Sequence, residues 1–189
     1  MAVGSEVLLI GGRSGVGKST AGWEVSAQLR GAGVGHALVE GDYLDQIFPA
    51  PVGDPDRSGI TEANLAAVWG NYVALGCRRL IYTNTVAILD VDLVVRAMGG
   101  ARVISVLLTA DDDTARKRLG GREVGSQLEA HLARGKEMAL HLDATAPAEV
   151  HRIHTDGRAA VDIARDIVDV TGWAEKQAAE TQAPEKQAP

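Results

Sequence analysis

The sequence predicts an α/β fold in which helices cover both faces of a five-stranded parallel sheet, giving three layers. Short, continuous apolar runs alternate along the 189-residue chain with segments of helical character. Such runs are typical of strands buried on both faces, and their alternation with helices is typical of parallel sheets. A glycine-rich turn also separates the first run from the first helical segment, in the order strand, turn, helix.

Each strand is predicted from an apolar run with a clear end. The first run is Val-Leu-Leu-Ile, and it stops before a pair of glycines. The second run stops at Gly41 and Asp42, and the third stops at three polar residues. The five predicted strands span residues 7–10, 36–40, 79–84, 103–108 and 150–154.

Helices are predicted in the segments between the strands. Thr61 is a candidate N-cap for the second helix, because its hydroxyl can accept a hydrogen bond from the first helical turn. Two glycines end the third helix, and glycines at 120, 121 and 125 interrupt the fourth. The predicted helices span residues 19–29, 61–77, 90–97, 112–142 and 158–170.

Composition narrows the class of protein. The hydrophobic fraction is 46%, which suits one globular domain, and we place that domain at residues 1–172. The formal net charge of −6 argues against general nucleic-acid binding, since that needs a basic surface. No apolar run approaches the ~18 residues of a membrane span, and the first residues lack a secretory pattern. We therefore expect a cytoplasmic protein with neither a nucleic-acid nor a membrane partner.

The end of the chain has a different composition. From Ala174 onward it consists of Ala, Glu, Gln, Lys, Thr and Pro, with no bulky apolar residue. Such a segment buries too little surface to offset the entropy lost on ordering. We therefore predict a disordered tail at residues 173–189.

The turn after the first predicted strand contains the most specific motif of the chain. Residues 12–19 read Gly-Arg-Ser-Gly-Val-Gly-Lys-Ser and match the pattern G-x-x-x-x-G-K-[ST]. Between a strand and a helix, this pattern forms a phosphate cradle. Its backbone N–H groups converge on a phosphate, its lysine reaches the β- and γ-phosphates, and its last hydroxyl can ligate Mg²⁺. We predict that ATP and Mg²⁺ are bound by Gly12, Ser14, Gly15, Val16, Gly17, Lys18, Ser19 and Thr20.

Asp42 is a candidate catalytic base and metal ligand. It stands just past the end of the second strand, and ligands of doubly wound sheets bind beyond the carboxyl ends of the strands. A carboxylate there can take the proton of an attacking hydroxyl or hold water on Mg²⁺. Glu40 competes for this role but ranks lower, because strand alternation points it differently. Asp45 is a weaker third candidate, and a simple turn residue is the structural alternative for Asp42.

A basic cluster at residues 116–122 is a candidate lid over the nucleotide. Arg118 and Arg122 are four residues apart and would share one helix face. Guanidinium groups suit bidentate contacts with phosphate and can stack on a base. With the nearby glycines as hinges, a lid is predicted at about residues 116–142. The alternative is a solvated helix face whose charge is balanced by the three aspartates at 111–113.

The end of the third predicted strand departs from expectation. Many enzymes with this phosphate-binding motif place an aspartate there to orient Mg²⁺, whereas this chain has Thr83, Asn84 and Thr85. Either Asp42 assists the metal, or Ser19, the phosphates and water hold it. The three polar residues could instead contact the acceptor.

Together these features resemble the small-molecule kinases of the adenylate-kinase-like P-loop NTPase fold. This group includes shikimate, gluconate and adenylylsulfate kinases and chloramphenicol phosphotransferase. The resemblance covers roughly residues 5–172. Its motifs are the phosphate loop, the strand-end segment Val-Glu-Gly-Asp-Tyr-Leu at 39–44, and Arg-Leu-Gly-Gly-Arg at 118–122. It implies that one lid arginine lies against the adenine and another against the phosphates. The loop that ends at Arg158 would then close over the adenine edge.

The leading hypothesis is an ATP-dependent kinase that phosphorylates a hydroxyl of a small metabolite or antibiotic. Lys18, Asp42, Arg118 and Arg122 would be its catalytic residues. A nucleoside or nucleotide kinase is the nearest alternative, and it would need a further phosphate-binding arginine at 57, 78 or 79. A nucleotide-binding regulator without catalysis is a second alternative. The expected partner is a small-molecule acceptor, with a monomer and a homodimer both left open.

Overall fold

A computed structural model of the protein describes residues 4–120 and 128–182. Within these residues, five strands form one sheet in the order β2-β3-β1-β4-β5, and each neighbouring pair is parallel. The predicted five-stranded parallel sheet is therefore confirmed. The strands are β1 (Glu6–Gly11), β2 (Ala37–Glu40), β3 (Arg79–Thr83), β4 (Arg102–Thr109) and β5 (His151–His154).

Helices connect the strands, as the alternation of the sequence predicts. The predicted helix at 112–142 is two helices, and residues 121–127 between them, which include Gly121, Arg122 and Gly125 of the predicted lid, lie outside the described residues. No helix in the described parts of the chain is long and apolar enough to cross a membrane. The helices are α1 (Lys18–Gly31), α2 (Ser58–Ala74), α3 (Val91–Ala97), α4 (Asp112–Gly120), α5 (Leu128–Thr145), α6 (Ala160–Thr171) and α7 (Trp173–Gln182).

The two faces of the sheet pack against different helices. Leu8 and Ile10 of β1 lie in a core with apolar residues of α1 and α6. Val7 and Leu9 of the same strand lie in a second core with apolar residues of α2 and α3. Since consecutive strand residues point to opposite faces, β1 must be apolar at every position, and this explains its unbroken Val-Leu-Leu-Ile run.

The position of β1 between β3 and β4 determines where a ligand can bind. Ile10 pairs with Thr83 of β3 and also with Val106 of β4, so the three strands end at the same edge. Glu40 at the end of β2 pairs with Thr83 as well. The segments that follow β1, β2 and β3 therefore open side by side at the carboxyl edge of the sheet, where ligands of such folds bind.

The chain after residue 172 differs from the expected disordered tail. Residues 173–182 form α7, and the side chain of Trp173 is 0% exposed within the core of α1 and α6. The prediction rested on the absence of bulky apolar residues after Ala174, but the single tryptophan before that point is enough to anchor the helix. Residues 183–189 lie outside the described residues, and the domain boundary at 172 stays a prediction.

An ionic cluster holds α7 against the amino edge of the sheet. The buried Glu6 of β1 accepts hydrogen bonds from Arg102 Nε at 2.7 Å, from Lys176 Nζ at 3.0 Å and from Arg79 Nε at 3.3 Å. Burial alone would raise the pKa of Glu6, but the hydrogen bonds and charges of Arg102 and Lys176 outweigh it and hold the pKa below its usual value. The ionised carboxylate thus connects three strands to the last helix.

Glu6→Gln is expected to lower the free energy of unfolding by about 1–3 kcal/mol at neutral pH, because the buried guanidinium of Arg79 would lose its charged acceptor. Folding lowers the pKa of Glu6 below its value of 4.5 in the unfolded chain. The contribution of its charge to stability is therefore complete above pH 4.5 and is lost as the pH falls below that value. Urea unfolding of both proteins between pH 3 and pH 8 measures this difference. Glu62→Gln, which breaks an exposed pair with Arg96, is the control and should change stability little. An equal loss in both variants would contradict the account.

Candidate functional site

The loop between β1 and α1 has a backbone path that requires glycine. Gly12 has φ +141°, and a Cβ there would lie 2.6 Å from the carbonyl oxygen of Leu108. Gly15 has φ +82°, and a Cβ there would lie 2.9 Å from the carbonyl oxygen of Ala115. Both the positive φ and the close neighbours exclude larger residues. The motif therefore has the tight turn at the start of a helix that a phosphate cradle needs.

A cavity of about 480 Å³ lies above this loop. Most of the residues predicted to bind ATP line it, together with five residues that were not predicted. Gly12, the first residue of the motif, is not among the lining residues. Its carbonyl oxygen accepts a hydrogen bond from Lys18. The lining residues are Ser14, Gly15, Val16, Gly17, Lys18, Ser19, Thr20, Ala21, Asp42, Arg118, Leu119, Thr155, Arg158, Ala160 and Ile163.

Lys18 is held against the loop with its charge next to two carboxylates. Its Nζ donates hydrogen bonds to the carbonyl oxygens of Gly12 at 2.8 Å and Arg13 at 3.3 Å. Burial lowers the pKa of Lys18, while the negative charges of Asp42 and Glu40 act in the opposite direction. The ammonium is thus placed at the phosphate loop and faces the ends of β1 and β2.

Glu40 and Ser19 are brought together, which strand alternation alone did not predict. Ser19 Oγ donates a hydrogen bond to Glu40 Oε2 at 2.8 Å, and Trp23 Nε1 donates one to Glu40 Oε1 at 3.0 Å. Glu40 lies on the same face of β2 as Leu38, which packs against the core that contains α1. Strand alternation alone does not tell which face of β2 is covered by α1. Once that face is known, alternation places Glu40 beside Ser19.

Asp42 lies at the mouth of the same cavity. Its Oδ1 accepts a hydrogen bond from Asn84 Nδ2 at 3.0 Å, and Asn84 directly follows β3. Partial removal from water raises the pKa of Asp42, the charge of Lys18 lowers it, and the charges of Glu40 and Asp45 raise it. Asn84, the polar residue that follows β3, therefore orients the carboxylate of Asp42.

Arg118 connects α4 to the phosphate loop. Its Nη1 donates to the carbonyl oxygen of Val16 at 3.0 Å and to Thr155 Oγ1 at 2.9 Å, and its Nη2 donates to the carbonyl oxygen of Thr155 at 2.9 Å. Thr155 is buried and follows β5, and it was not predicted as a site residue. Arg118 thus borders the cavity from a fixed position, whereas its predicted companion Arg122 lies outside the described residues.

Two further arginines flank the cradle. Arg158 lines the cavity, and its Nη2 pairs with Asp166 Oδ2 of α6 at 2.7 Å. Arg13, inside the motif, is buried and forms an ion pair with Asp112 in the first turn of α4. Asp112 is the first residue of α4, where a negative charge also favours the positive end of the helix dipole.

The oxygen donors around Ser19 fit a magnesium ion. The Ser19 hydroxyl and the Glu40 carboxylate lie 2.8 Å apart, and Asp42 lines the cavity beside them. Mg²⁺ prefers oxygen ligands, keeps several waters and is usually held by one or two carboxylates together with substrate phosphates. Within residues 4–120 and 128–182, no group of three or more His, Cys, Asp or Glu is arranged to hold a metal. The site thus fits a phosphate-bound Mg²⁺ better than an ion held by protein ligands alone.

The charges around Asp42 predict opposite pKa changes for two variants. Lys18→Met removes a positive neighbour and should raise the pKa of Asp42, whereas Glu40→Gln removes a negative neighbour and should lower it. Carbon-13 NMR titration of the carboxyl groups in protein free of nucleotide and metal measures both, with Asp42→Asn to assign the signal. Lys117→Met, on an exposed position of α4, is the control and should leave the pKa unchanged. Changes of the same sign in both variants would contradict the geometry.

Several solved structures have a fold similar to that of this chain. No protein-family model and no curated protein sequence matches this chain. The gluconokinase from Sinorhizobium meliloti is 18% identical, with 95% of this chain and 98% of that chain aligned and a TM-score of 0.56. The Mycobacterium tuberculosis APS kinase, solved with AMPPNP and APS, is 19% identical, with 88% and 97% aligned and a TM-score of 0.57.

A third neighbour is the tunicamycin resistance protein of Deinococcus radiodurans. It is 19% identical, with 89% of this chain and 96% of that chain aligned and a TM-score of 0.59. All three identities are low, so the likeness concerns the arrangement of the backbone. This chain has the three-layer α/β fold of the P-loop small-molecule kinases.

Proposed function

We propose that this protein is a phosphotransferase that moves the γ-phosphate of ATP to a hydroxyl group of a small molecule. The observation that carries the proposal is one cavity with Lys18 and Ser19 in its phosphate cradle and the carboxylate of Asp42 at its mouth. Phosphoryl transfer needs a donor site and an acceptor site side by side, with positive charge between them. Support also comes from the fold, since the similar APS kinase was solved with AMPPNP and APS.

The phosphate end of the cavity would bind ATP. The backbone N–H groups of residues 14–19 belong to the loop and first turn at the N-terminus of α1, which favours negative charge. Lys18 adds a full positive charge, and Arg118 borders the phosphates from α4. These groups would hold the γ-phosphate in line with the acceptor and stabilise the negative charge that spreads over its oxygens during transfer. Arg158 lies just before α6 and lines the cavity, and it would contact the nucleoside part of ATP.

Ser19 and Glu40 would hold Mg²⁺, with Asp42 beside them. When bound, such an ion neutralises charge on the β- and γ-phosphate oxygens. From the end of β2, Glu40 would thereby take the role of the acid that is missing at the end of β3. Trp23 Nε1 holds the second carboxylate oxygen of Glu40 by a hydrogen bond. Glu40 cannot easily serve as the base as well, because both of its oxygens accept hydrogen bonds from α1.

Asp42 would act as the general base. It would take the proton of the acceptor hydroxyl while the oxygen of that hydroxyl bonds to the γ-phosphorus. The bond between the γ-phosphorus and its bridging oxygen breaks, and ADP leaves with that electron pair. The hydrogen bond from Asn84 directs one carboxylate oxygen, so the other is available to the acceptor.

A nucleotide kinase receives less support from the geometry. That alternative requires a phosphate-binding arginine near Asp42, and the sequence offered positions 57, 78 and 79. Arg79 begins β3 and pairs with Glu6, so it lies at the amino edge of the sheet, as does Arg78 before it. Arg57 is on the acceptor side, but its Nε donates to the carbonyl oxygen of Ile47.

The proposal is tested by an ATP-consumption screen across alcohols, sugars, nucleosides and hydroxyl-bearing antibiotics, followed by variants with the best acceptor. Asp42→Asn should lower kcat by about 10²–10⁴-fold, the usual contribution of a general base, and should still bind ATP. Asp92→Asn, on an exposed position of α3, is the isosteric control and should match the wild type. An Asp42→Asn protein that transfers phosphate at the wild-type rate would refute the assignment of the base. A protein that binds ATP and phosphorylates none of the alcohols would refute the proposed function.

A further inference from the structure

The segment that follows Asp42 is unusually apolar for a surface loop. We call residues 43–52 the apolar loop. Its exposed side chains are Tyr43 at 76%, Ile47 at 44%, Phe48 at 94% and Val52, which is fully exposed. Half of the eight large hydrophobic side chains exposed among the described residues thus fall within ten positions. Exposed apolar side chains so close together along the chain make this segment a candidate binding surface.

The apolar loop has a defined conformation. Asn64 Nδ2 of α2 donates to the carbonyl oxygen of Leu44 at 2.6 Å, and Arg57 Nε donates to that of Ile47 at 3.3 Å. Gln46 Nε2 donates to the carbonyl oxygen of Asp42 at 2.5 Å. Leu44 itself packs against the core of α2 and α3. The loop is thus anchored through Leu44 and its backbone, while its other apolar side chains are left exposed.

The apolar loop directly follows, along the chain, a residue of the proposed catalytic cavity. Asp42 lines that cavity, and the 3₁₀ turn Gly41–Tyr43 leads directly from it into the loop. The loop thus begins at the residue next to Asp42, whereas the phosphate cradle belongs to the turn before α1.

Charge on this side of the cavity is strongly negative. Residues 42–64 contain five acidic residues and a single basic one, Arg57, and of the five Glu62 pairs with Arg96 of α3. Burial raises the pKa of Tyr82, and the negative charges of Asp90, Asp42 and Asp45 raise it further. An acceptor with a carboxylate or phosphate of its own would meet this negative field and would find few cations to pair with.

Resting on the proposed function, we propose that the phosphate acceptor is an alcohol that has an apolar body and no negative charge. Its hydroxyl lies at Asp42, and its apolar body lies against Tyr43, Ile47, Phe48 and Val52. The apolar surface supplies the binding energy, since few groups in the loop can offer polar contacts through their side chains. The carboxylates supply the selectivity, because they disfavour anionic alcohols such as sugar acids and nucleoside monophosphates.

The test compares three probe alcohols that differ in apolar body and charge. They are n-octyl β-D-glucopyranoside, used below its micelle concentration, D-glucose and D-gluconate. Calorimetric titration in the presence of AMPPNP and Mg²⁺ should show the octyl glucoside binding at least ~10-fold more tightly than glucose, and no binding of gluconate. Phe48→Ser combined with Val52→Ser should lower the affinity for the octyl glucoside by ~10-fold. Leu75→Ser, an 87% exposed leucine just after the far end of α2, is the matched control and should not change it.

Several outcomes would overturn the proposal. One is gluconate binding as tightly as the octyl glucoside, and another is octyl glucoside affinity that the loop variants leave unchanged. A third is a wild type that self-associates in sedimentation while the loop variant is a monomer, since the loop would then cover a second copy of the chain. Asp42-dependent phosphorylation of gluconate would refute this inference and uphold the proposed function. Loop-dependent binding of the octyl glucoside without phosphorylation of any alcohol would refute the proposed function and leave the loop as a surface for such alcohols.

Discussion

The backbone turn between β1 and α1 is the constraint on which the other parts of the site depend. Gly12 lies against the carbonyl of Leu108 in β4, and Gly15 lies against that of Ala115 in α4, so the loop is fixed by two neighbouring elements at once. Because β1 is the central strand, this turn stands between the ends of β3 and β4. This turn therefore determines the positions of Lys18 and Ser19, and with them the contacts that these two residues make.

The resulting site has two ends with opposite chemistry. The cradle end carries backbone N–H groups, Lys18 and Arg118, which suit phosphate oxygens. The other end carries the carboxylate of Asp42, and the apolar loop follows it along the chain; these are the features for which we propose an uncharged alcohol as acceptor. Asp42 stands at the boundary, next to Lys18 on one side and Asn84 on the other. In the proposed reaction, the charged donor would lie at the first end and the neutral acceptor at the second.

Much of the fold and part of the site could be predicted from the sequence because they depend on local patterns. Apolar runs gave the strands to within two residues, and one eight-residue motif located the cradle. Glu40 was ranked too low because its orientation depends on which face of β2 packs against α1, and that is a tertiary property. Trp173 was missed for a similar reason, since a single buried side chain anchors α7 while composition averages over many residues. The exposure of Phe48 is likewise invisible to a pattern that counts only residue types.

The central claim is that Lys18 and the surrounding loop bind the phosphates of ATP. Isothermal titration of the protein with ATP in the presence of Mg²⁺ tests it most directly, with Lys18→Ala and the exposed Lys117→Ala as a matched pair. The account predicts one saturable site per chain, an affinity at least ~10-fold weaker in Lys18→Ala, and no change in Lys117→Ala. Equal affinity in all three proteins, or no saturable binding in the wild type, would contradict it.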